Sequence, residues 1–302
     1  MDRFACISVF VAAVDEGSLA AAGRRAGLSA SMAGKYLSQL EAELNVRLMQ
    51  RSTRNLSLTD AGRAYYLRCK HILEEFDDAN REASDAQRLA SGTLRVAAPV
   101  TFGAMHMQEI VTRYLAAHPQ VDIDMSLDDR YVDLQSDSID VAIRIGRLPD
   151  SQLIAKRLAP CRMVLCAAPA FVAREGLPAQ PGDLRAAPRL AFSEAVTAGE
   201  WALQDKHGRR YVIEGPLRMR ANNMQMLTSA ALAGMGIVYG PTFVFGEHLK
   251  AGRLIELLPE FKAPDLTIHA VYSSARYVPL KVRVFIDYLV SAFGDEPEWD
   301  RF

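Results

Sequence analysis

The chain has 302 residues, of which half are hydrophobic and 24% are charged, and this composition is typical of a folded protein with one or more apolar cores. Its formal net charge is −1, which excludes a uniformly basic chain, so nucleic-acid binding would need a local excess of arginine and lysine. The four scattered cysteines exclude a disulfide framework, and no group of cysteines and histidines has metal-ligand spacing.

The first predicted element is a helix. Phe4, Ile7, Val11 and Val14 recur at helical spacing, and two acidic residues follow directly. This pattern favours an amphipathic helix over a signal peptide. The chain contains no run of 18 apolar residues, so we expect no transmembrane helix, no membrane partner and a cytoplasmic location.

Residues 18–44, SLAAAGRRAGLSASMAGKYLSQLEAEL, predict two short helices joined at Gly27. Ser18 can cap the first helix and either Ser29 or Ser31 the second, because a serine oxygen accepts a hydrogen bond from the unpaired amides of a first turn. Gly27 supplies the positive φ that ends the first helix. The apolar stripe of the second helix comprises Ala33, Leu37, Leu40 and Leu44.

The other faces of the second helix carry small and polar residues, which suits entry into the major groove of DNA. Between residues 24 and 70 nine basic residues accompany three acidic ones, a local charge of +6 in a chain of charge −1. We interpret the pair as a helix-turn-helix, with an ordinary helical hairpin as the alternative. The candidate DNA-contacting residues here are Ser29, Ala30, Ser31, Gly34, Lys35 and Tyr36.

Gly34 is an unusual residue for the middle of a helix, since glycine costs roughly 1 kcal/mol of helix propensity relative to alanine. It lies away from the apolar stripe, so core packing does not explain it. We hypothesise that it lets the helix backbone approach DNA closely. The alternative is that it is a tolerated gap.

The next stretch, RLMQRSTRNLSLTDAG at residues 47–62, predicts a short β wing. A turn precedes Leu56 and Leu58, which alternate with polar residues. Arg51 and Arg54 on such a wing could contact phosphates or the minor groove.

A long helix follows, with Thr59 as its cap and Asp60 in its first turn. Apolar residues recur along it at alternating spacings of four and three, which forms a heptad seam. We predict that the seam pairs with the same helix of a second chain, which would place two recognition helices on a palindromic site. Packing against its own domain is the alternative. The seam comprises Tyr65, Cys69, Ile72, Phe76, Ala79, Ala83, Ala86 and Ala90.

Strands and helices alternate from about residue 92 onward, which predicts a mainly parallel α/β sheet. Small molecules bind beyond the C-terminal ends of strands in such sheets. Polar residues and helix starts at several strand ends predict a cleft of positive potential, suited to a small carboxylate or phenolic effector. Arg147 lies near this set, and His106 is one turn along the first helix. The candidate effector-binding residues are Val100, Thr101, Phe102, Arg144, Gly146, Asn222, Pro241 and Thr242.

No catalytic signature is present. The lone GxG at 234–236 follows a helix and precedes a strand, the reverse of a dinucleotide fingerprint, and no GxSxG, P-loop or HExxH motif occurs. Cys161 and Cys166 would lie on opposite faces of a strand, so we expect buried thiols, with a redox sensor as the alternative. We therefore predict that the protein is not an enzyme, has no catalytic residues, and needs no metal or cofactor.

The order helix, SLAAAGRRAGLSASMAGKYLSQLEAELNVRLMQRSTRNLSLTDAG, long helix is similar to the winged helix-turn-helix of LysR-type transcriptional regulators. The stretches LRVAAPVTFG, DLQSDSIDVAIRIGRLPDSQLIAKRLAP and LAGMGIVYGPTFVFGEHLKAGRLIELLPEF resemble the effector domain of that family, so the resemblance covers nearly the whole chain. It implies that Ser29, Ser31 and Lys35 lie on the recognition helix, with Arg51 and Arg54 on the wing.

The resemblance also implies a domain organisation in which an all-α N-terminal part precedes an α/β part. A winged helix-turn-helix would occupy 1–59, a linker and dimerisation helix with its hinge 60–91, and an effector-binding domain 92–302. That domain would have two α/β lobes like a periplasmic binding protein. Lobe I would comprise about 92–162 and 267–302, and lobe II about 163–266.

We therefore predict a LysR-type regulator that binds a palindromic promoter site as a homodimer or homotetramer and responds to a small-molecule effector. RNA polymerase is a further partner that the resemblance implies. The chain departs from the family at Ala30, where proline is common, and at Gly34, where serine is common. The resemblance therefore does not imply which DNA sequence this chain recognises. The alternatives are a small-molecule-binding protein or enzyme with an accessory helical domain, and an architectural DNA binder without an effector.

Overall fold

The computed structural model describes residues 2–51, 56–84, 89–130, 133–134, 137–146, 148, 153–193, 201–264, 266–273 and 278–302, with the backbone alone at 51, 78–79 and 81–84. The predicted contact residues Arg54 and Arg147 and the seam residue Ala86 lie outside these ranges. The chain divides into two compact units, Met1–Gly92 and Thr93–Phe302.

The N-terminal unit is a helical domain with a small antiparallel ribbon. The ribbon pairs Met49 with Leu58 and Arg51 with Leu56. The elements are α1 Arg3–Asp15, α2 Leu19–Arg25, α3 Ala30–Leu44, β1 Met49–Arg51, β2 Leu56–Leu58 and α4 Asp60–Ser84.

Local hydrogen bonds define the helix-turn-helix. Ser18 caps α2, because its Oγ accepts a hydrogen bond from an amide of the first turn. The Oγ of Ser29 accepts one from Met32 N at 3.2 Å, so Ser29 rather than Ser31 caps α3. Gly27 has a φ of +68°, which confirms the predicted turn.

The core of this unit joins three helices and the segment before β1. Phe10 of α1, Leu37 and Leu40 of α3, Leu48 before β1, and Cys69 of α4 are all buried in one cluster. Leu48 at the base of the wing and the first turns of α4 are therefore held against the same core as α3, the predicted recognition helix.

The C-terminal unit is built on strands in two sheets. Their order is β4-β3-β5-β14-β6 in one sheet and β11-β8-β12-β7-β13 in the other, and β9 and β10 form a separate hairpin. The strands are β3 Gly92–Ala98, β4 Val121–Leu127, β5 Val141–Ile145, β6 Leu153–Cys161, β7 Met163–Ala167, β8 Arg189–Phe192, β9 Trp201–Gln204, β10 Arg210–Ile213, β11 Leu217–Ala221, β12 Ile237–Pro241, β13 Ile255–Glu256 and β14 Leu266–Ser273.

Helices accompany both sheets. One continuous helical stretch after β3 changes from α to π and back to α, and a π segment of this kind is frequent at functional sites. The helices are α5 Val100–Phe102, a π segment Gly103–Met107, α6 Gln108–Ala117, α7 Pro169–Glu175, a 3₁₀ turn Pro181–Leu184, α8 Met224–Leu232, α9 Thr242–Lys250, α10 Leu280–Phe293 and a 3₁₀ turn Glu298–Asp300.

The sheets are mixed, which differs from the predicted mainly parallel arrangement. β3 pairs with β5 in parallel, and both β11 and β12 pair with β8 in parallel. β14 is antiparallel to β5 and β6, and β7 is antiparallel to β12 and β13. The reason is the connection between the lobes: the chain leaves one sheet after Cys161, enters the other at Met163, and returns at Leu266. β7 and β14, the strands that begin after these two crossings, therefore run antiparallel to the strands on either side of them.

Candidate DNA-binding and effector-binding sites

The predicted groove face of α3 is open to solvent. Ser29, Ala30, Ser31 and Lys35 are exposed, while Leu37 on the opposite face is fully buried. Helix α3 is therefore amphipathic as predicted, with small and polar side chains on the face that points away from the core.

Gly34 lies on this open side. A methyl group placed on its Cα would meet no atom within 4 Å, so the unit itself does not require a glycine here. The hydroxyl of Ser38 donates to the Gly34 carbonyl at 2.9 Å, an ordinary bond across one helical turn. A steric requirement for glycine at position 34 would therefore have to be imposed by a partner outside this unit.

Tyr36 differs from the prediction. It is half-buried and packs against the core cluster of the unit rather than lying wholly on the outward face. The cause is its place in the helix, since it comes three residues after Ala33 and directly before Leu37, and so borders the apolar stripe.

The wing places Arg51 at the end of β1, paired with Leu56 of β2. Its base depends on a residue that the sequence analysis missed. Glu41 of α3 is 6% exposed, and its Oε1 accepts hydrogen bonds from Leu48 N at 2.9 Å and Met49 N at 3.1 Å. The available signal was an acidic residue four positions after Leu37, on the apolar stripe of a helix in a basic segment.

The heptad prediction is wrong in its first part. Cys69 is 2% exposed and Tyr65 is partly buried, and both belong to the core cluster of their own unit. The Tyr65 ring lies 5.8 Å from that of Phe10, and burial raises the pKa of Tyr65 to about 12. The first turns of α4 therefore pack against α1, because the helix must first cover the core beneath it.

The second part of the seam is exposed. Ile72 and Phe76 are 53% and 49% exposed, and Phe76 contacts Phe4 at a ring distance of 4.7 Å. The side chains of Ala79 and Ala83 lie outside the described residues. Two large apolar side chains of the predicted seam are thus exposed on the surface of α4.

In the first lobe, the predicted effector residues gather at one sheet edge. β3 and β5 run in parallel, so Val100 after β3 and Gly146 after β5 lie at the same C-terminal edge. Gly146 has a φ of +125°, which favours glycine, and its N–H donates to Thr267 O. Half-buried Arg144 precedes this turn, and its backbone lies opposite that of His269 in the antiparallel pairing of β5 with β14.

The helix start at this edge is less available to an anion than predicted. Val100 N already donates to the Asp129 carboxylate at 3.1 Å. Thr101 is 5% exposed and Phe102 is fully buried, so neither presents its whole side chain to solvent. One of the amides predicted to bind a ligand therefore already donates its hydrogen bond to a carboxylate of the protein.

In the second lobe, Thr242 is fully buried and structural rather than open. Its hydroxyl and its N–H donate to Arg162 O at 3.2 and 2.9 Å. It therefore holds the residue at which the chain crosses between the sheets. Pro241 is buried beside it, whereas Asn222 at the end of β11 is exposed.

An aromatic cluster joins the two lobes and includes the histidine singled out earlier. His106 Nε2 lies 2.8 Å from Phe243 O, so a proton on Nε2 makes it the donor. The Phe102 and Phe243 rings are 5.2 Å apart, and the Trp299 ring lies 4.5 Å from that of His106. Burial lowers the pKa of His106. Phe243 and Trp299 were not predicted from the sequence, because no periodicity connects them with residues 102–106.

The four cysteines are buried free thiols. Burial raises the pKa of Cys161 to about 12 and raises that of Cys166 further, so both stay protonated at neutral pH. This environment favours the inert interpretation over a redox sensor. Within the described ranges no group of histidine, cysteine and carboxylate side chains could hold a metal ion. No helix in those ranges is long and apolar enough to span a membrane.

Family models match nearly the whole chain. The model described as the bacterial regulatory helix-turn-helix protein, lysR family, matches residues 5–63, and the LysR substrate binding domain model matches 87–294. The chain belongs to the LysR family of transcriptional regulators. The LysR assignment confirms the predicted family and the predicted fold, a helix-turn-helix followed by a two-lobed α/β regulatory domain.

Individual proteins match over more than nine tenths of their length. PtxR of Pseudomonas aeruginosa is 35% identical over 290 residues, which cover 95% of this chain and 92% of PtxR. The transcriptional activator AaeR of Escherichia coli is 33% identical, covering 97% of this chain and 94% of AaeR. The structure of CrgA of Neisseria meningitidis is 30% identical with a TM-score of 0.61, covering 95% of this chain and 97% of CrgA. This LysR-family chain is accordingly a transcription regulator and not an enzyme.

Proposed function

We propose that the N-terminal unit inserts α3 into the major groove of a palindromic promoter site, with its wing on the flanking phosphates or minor groove. The exposed face formed by Ser29, Ala30, Ser31 and Lys35 is the observation that carries this proposal. Ser29, Ser31 and Lys35 are polar and Ala30 is small, so this face can approach base edges and phosphates without a large steric barrier. A DNA target implies a cytoplasmic location.

Self-association follows from the requirement for two half-sites. Ile72 and Phe76 provide exposed apolar surface on α4, and a second copy of this chain would cover it. The two recognition helices would then address major grooves roughly 34 Å apart or a multiple of that distance. The resemblance to the family supports a dimer or a tetramer and a contact with RNA polymerase.

The effector site lies, in this proposal, at the facing C-terminal edges of the two lobes. Half-buried Arg144 and exposed Asn222 carry polar groups there, and the buried rings of Phe102 and Phe243 pack against each other between the lobes. One cation and one side-chain amide at this edge suit a small carboxylate or phenolic effector. The carboxylate of Asp129 on Val100 N argues against binding an anion at that amide. No metal or cofactor is required for this role.

Regulation needs only a difference in effector affinity between two arrangements of the lobes. A preference of about 1–3 kcal/mol is enough to bias a DNA-bound oligomer. The hydrogen bond from His106 to Phe243 O crosses the lobes, so an effector bound beside it would change the same contacts that set the lobe arrangement.

The decisive experiment combines selection with footprinting. Random-sequence duplexes are selected on the full-length protein, and the recovered DNA is footprinted with and without a panel of phenolic and carboxylate metabolites. We expect a two-fold symmetric footprint that one class of metabolite alters. Recovery of no preferred duplex would contradict the DNA-binding proposal. A footprint that no metabolite alters would favour an architectural DNA binder without an effector.

Calorimetry with a metabolite found in that experiment tests the site itself. Thr101→Ala removes the hydroxyl at the edge, and Thr101→Ser keeps it. We expect the alanine variant to bind about tenfold more weakly and the serine variant to bind like wild type, as for the loss of one hydrogen bond. Equal affinity of both variants would remove Thr101 from the site. Effector binding without DNA binding would support the alternative of a small-molecule-binding protein.

A further inference from the structure

The connection between α3 and the wing makes four hydrogen bonds to one residue of α3, Glu41. Its carbonyl accepts a hydrogen bond from Val46 N at 3.1 Å. Its carboxylate accepts from Arg47 Nη1 at 3.1 Å through Oε2, and from Leu48 N and Met49 N through Oε1. Four successive residues that lead from α3 into β1 are thus held by one residue in the last turn of α3.

Burial makes this arrangement rigid. The Glu41 side chain is 5% exposed, and a buried carboxylate is tolerated only where hydrogen bonds replace its hydration. Leu48 and Met49 are themselves 1% and 3% exposed, so their amides are also shielded from water. Charge-assisted bonds between shielded partners are short and directional, and they fix the orientation in which β1 begins.

The opposite side of the same segment is held by the start of α4. Thr59 Oγ1 donates to Arg47 O at 2.7 Å, and Thr59 N donates to Leu48 O at 3.0 Å. Gly62 lies so close that a Cβ added to it would be 1.9 Å from Leu48 O. The wing base is therefore bonded through its amides to α3 and through its carbonyls to α4.

We propose that Glu41 is a positioning residue for DNA recognition, which sets the wing relative to the recognition helix so that both engage DNA in one register. This inference rests on the DNA-binding mode proposed above. The ion pair with Arg47 is secondary, because the Arg47 side chain is 74% exposed and exposed pairs contribute little. The two amide bonds to Oε1 are the essential ones, since they hold Leu48 and Met49, which lie three and two residues before Arg51.

The two oxygens of Glu41 allow a matched pair of variants. Both wing amides bond to Oε1 and the arginine bonds to Oε2. Glu41→Gln keeps an oxygen for the two amides and loses only the arginine pair. Glu41→Leu has a similar size and loses every side-chain bond. Arg47→Gln removes the ion pair from the other partner and is the control for charge.

The probe is a fluorescein-labelled duplex selected from random DNA on the wild-type protein. Three quantities are measured for each variant: the dissociation constant across a salt series, the hydroxyl-radical footprint of the wing-flanking backbone, and the affinity for duplexes with single base changes in the half-site. Thermal unfolding of each variant reports whether it folds.

We expect Glu41→Leu to bind the duplex about 10–100-fold more weakly, with a salt slope smaller by about one to two per subunit, because wing phosphate contacts are lost. Its footprint should lose the flanking protection, while its ranking of half-site bases stays that of wild type. Glu41→Gln and Arg47→Gln should keep the flanking protection. A general loss of structure would instead weaken every base and every contact together.

The second side of the wing base provides an independent test. Thr59→Val removes the hydroxyl that bonds Arg47 O, and Thr59→Ser keeps it. We expect the valine variant alone to lose flanking protection, and this pair decides the matter if Glu41→Leu does not fold. Wild-type salt slope and flanking protection in both Glu41→Leu and Thr59→Val would overturn the positioning role while leaving DNA binding intact. Failure of wild type to select any duplex would overturn the proposed function itself.

Discussion

The recognition helix and the proposed effector edge differ in how their candidate residues are used. On α3, Ser31 and Lys35 are exposed and are left for a partner. At the effector edge, Thr242 is bonded to the crossing residue and Val100 N to Asp129. A surface for a ligand as large as DNA has to be solvent-exposed before the ligand binds, whereas these groups at the proposed effector edge are already bonded to other parts of the protein. Polar residues at strand ends are therefore weaker predictors of contact than polar residues on the open face of a helix.

The largest expected effect concerns the exposed apolar surface of α4. In the proposed DNA-bound dimer a second copy of the chain would cover this surface. Replacing Ile72 and Phe76 with glutamate should weaken binding of a full palindrome by more than about 100-fold, since charge in an apolar interface costs several kcal/mol. Sedimentation should show the loss of the dimer. Leu67→Glu is the matched control, because Leu67 is also about half exposed but lies on another face of α4. Full-affinity binding by the double variant would show that α4 does not form the interface.

The next prediction concerns the packing of α9 in the C-terminal unit. A Cβ on Gly246 of α9 would lie 2.3 Å from Trp299 O, so Gly246→Ala should displace the C-terminal 3₁₀ turn from α9. We expect a loss of about 1–3 kcal/mol in the free energy of unfolding, as for overpacking. Gly182→Ala is the control, since a Cβ there meets nothing within 4 Å. Equal unfolding free energies for both variants would mean that the turn moves without cost.

A smaller effect should appear in the pH dependence of this unit. Burial lowers the pKa of His106, His248 and His269 below their ordinary 6.5. The unfolded chain then binds protons at a higher pH than the folded chain, so stability is full above pH 6.5 and falls as the pH drops through the window below it. His106→Gln, whose amide can still donate to Phe243 O, should flatten this fall by less than about 1 kcal/mol. Denaturant unfolding at pH 7.5, 6.5 and 5.5 measures it, and an unchanged slope would contradict the assignment to His106.

The smallest predicted change in stability is at Gly34 on the open face. Gly34→Ser meets no steric obstacle and should raise the unfolding free energy by a few tenths of a kcal/mol through helix propensity. If the glycine permits close approach to DNA, the same variant should alter base preference in a selection from random duplexes. Higher stability with unchanged preference would make Gly34 a tolerated gap. The comparison between the two regions would then rest on Ser31 and Lys35 alone.

Periodicity and caps were strong predictors within the N-terminal unit. The turn at Gly27, the cap at Ser18 and the stripe through Leu37 follow from residues close in the chain, and the structure confirms them. The heptad pattern failed at Cys69 because a repeat records that a side chain is covered and not what covers it. Glu41 was overlooked because the amides that bond to it follow a turn, and hydrogen bonding across a turn leaves no periodic signal.

For the C-terminal unit the sequence alone determined the alternation of strands and helices, the family, and the sheet edge at which β3 and β5 both end. These depend on local hydrophobic patterns and on motifs that are continuous in the chain. Only the tertiary structure decided that Thr242 holds the interlobe crossing, that Glu41 holds the wing, and that His106 bonds across the lobes to Phe243. The last pairing joins residues 137 positions apart, and such a contact is set by how two packed lobes meet, which local propensity does not encode.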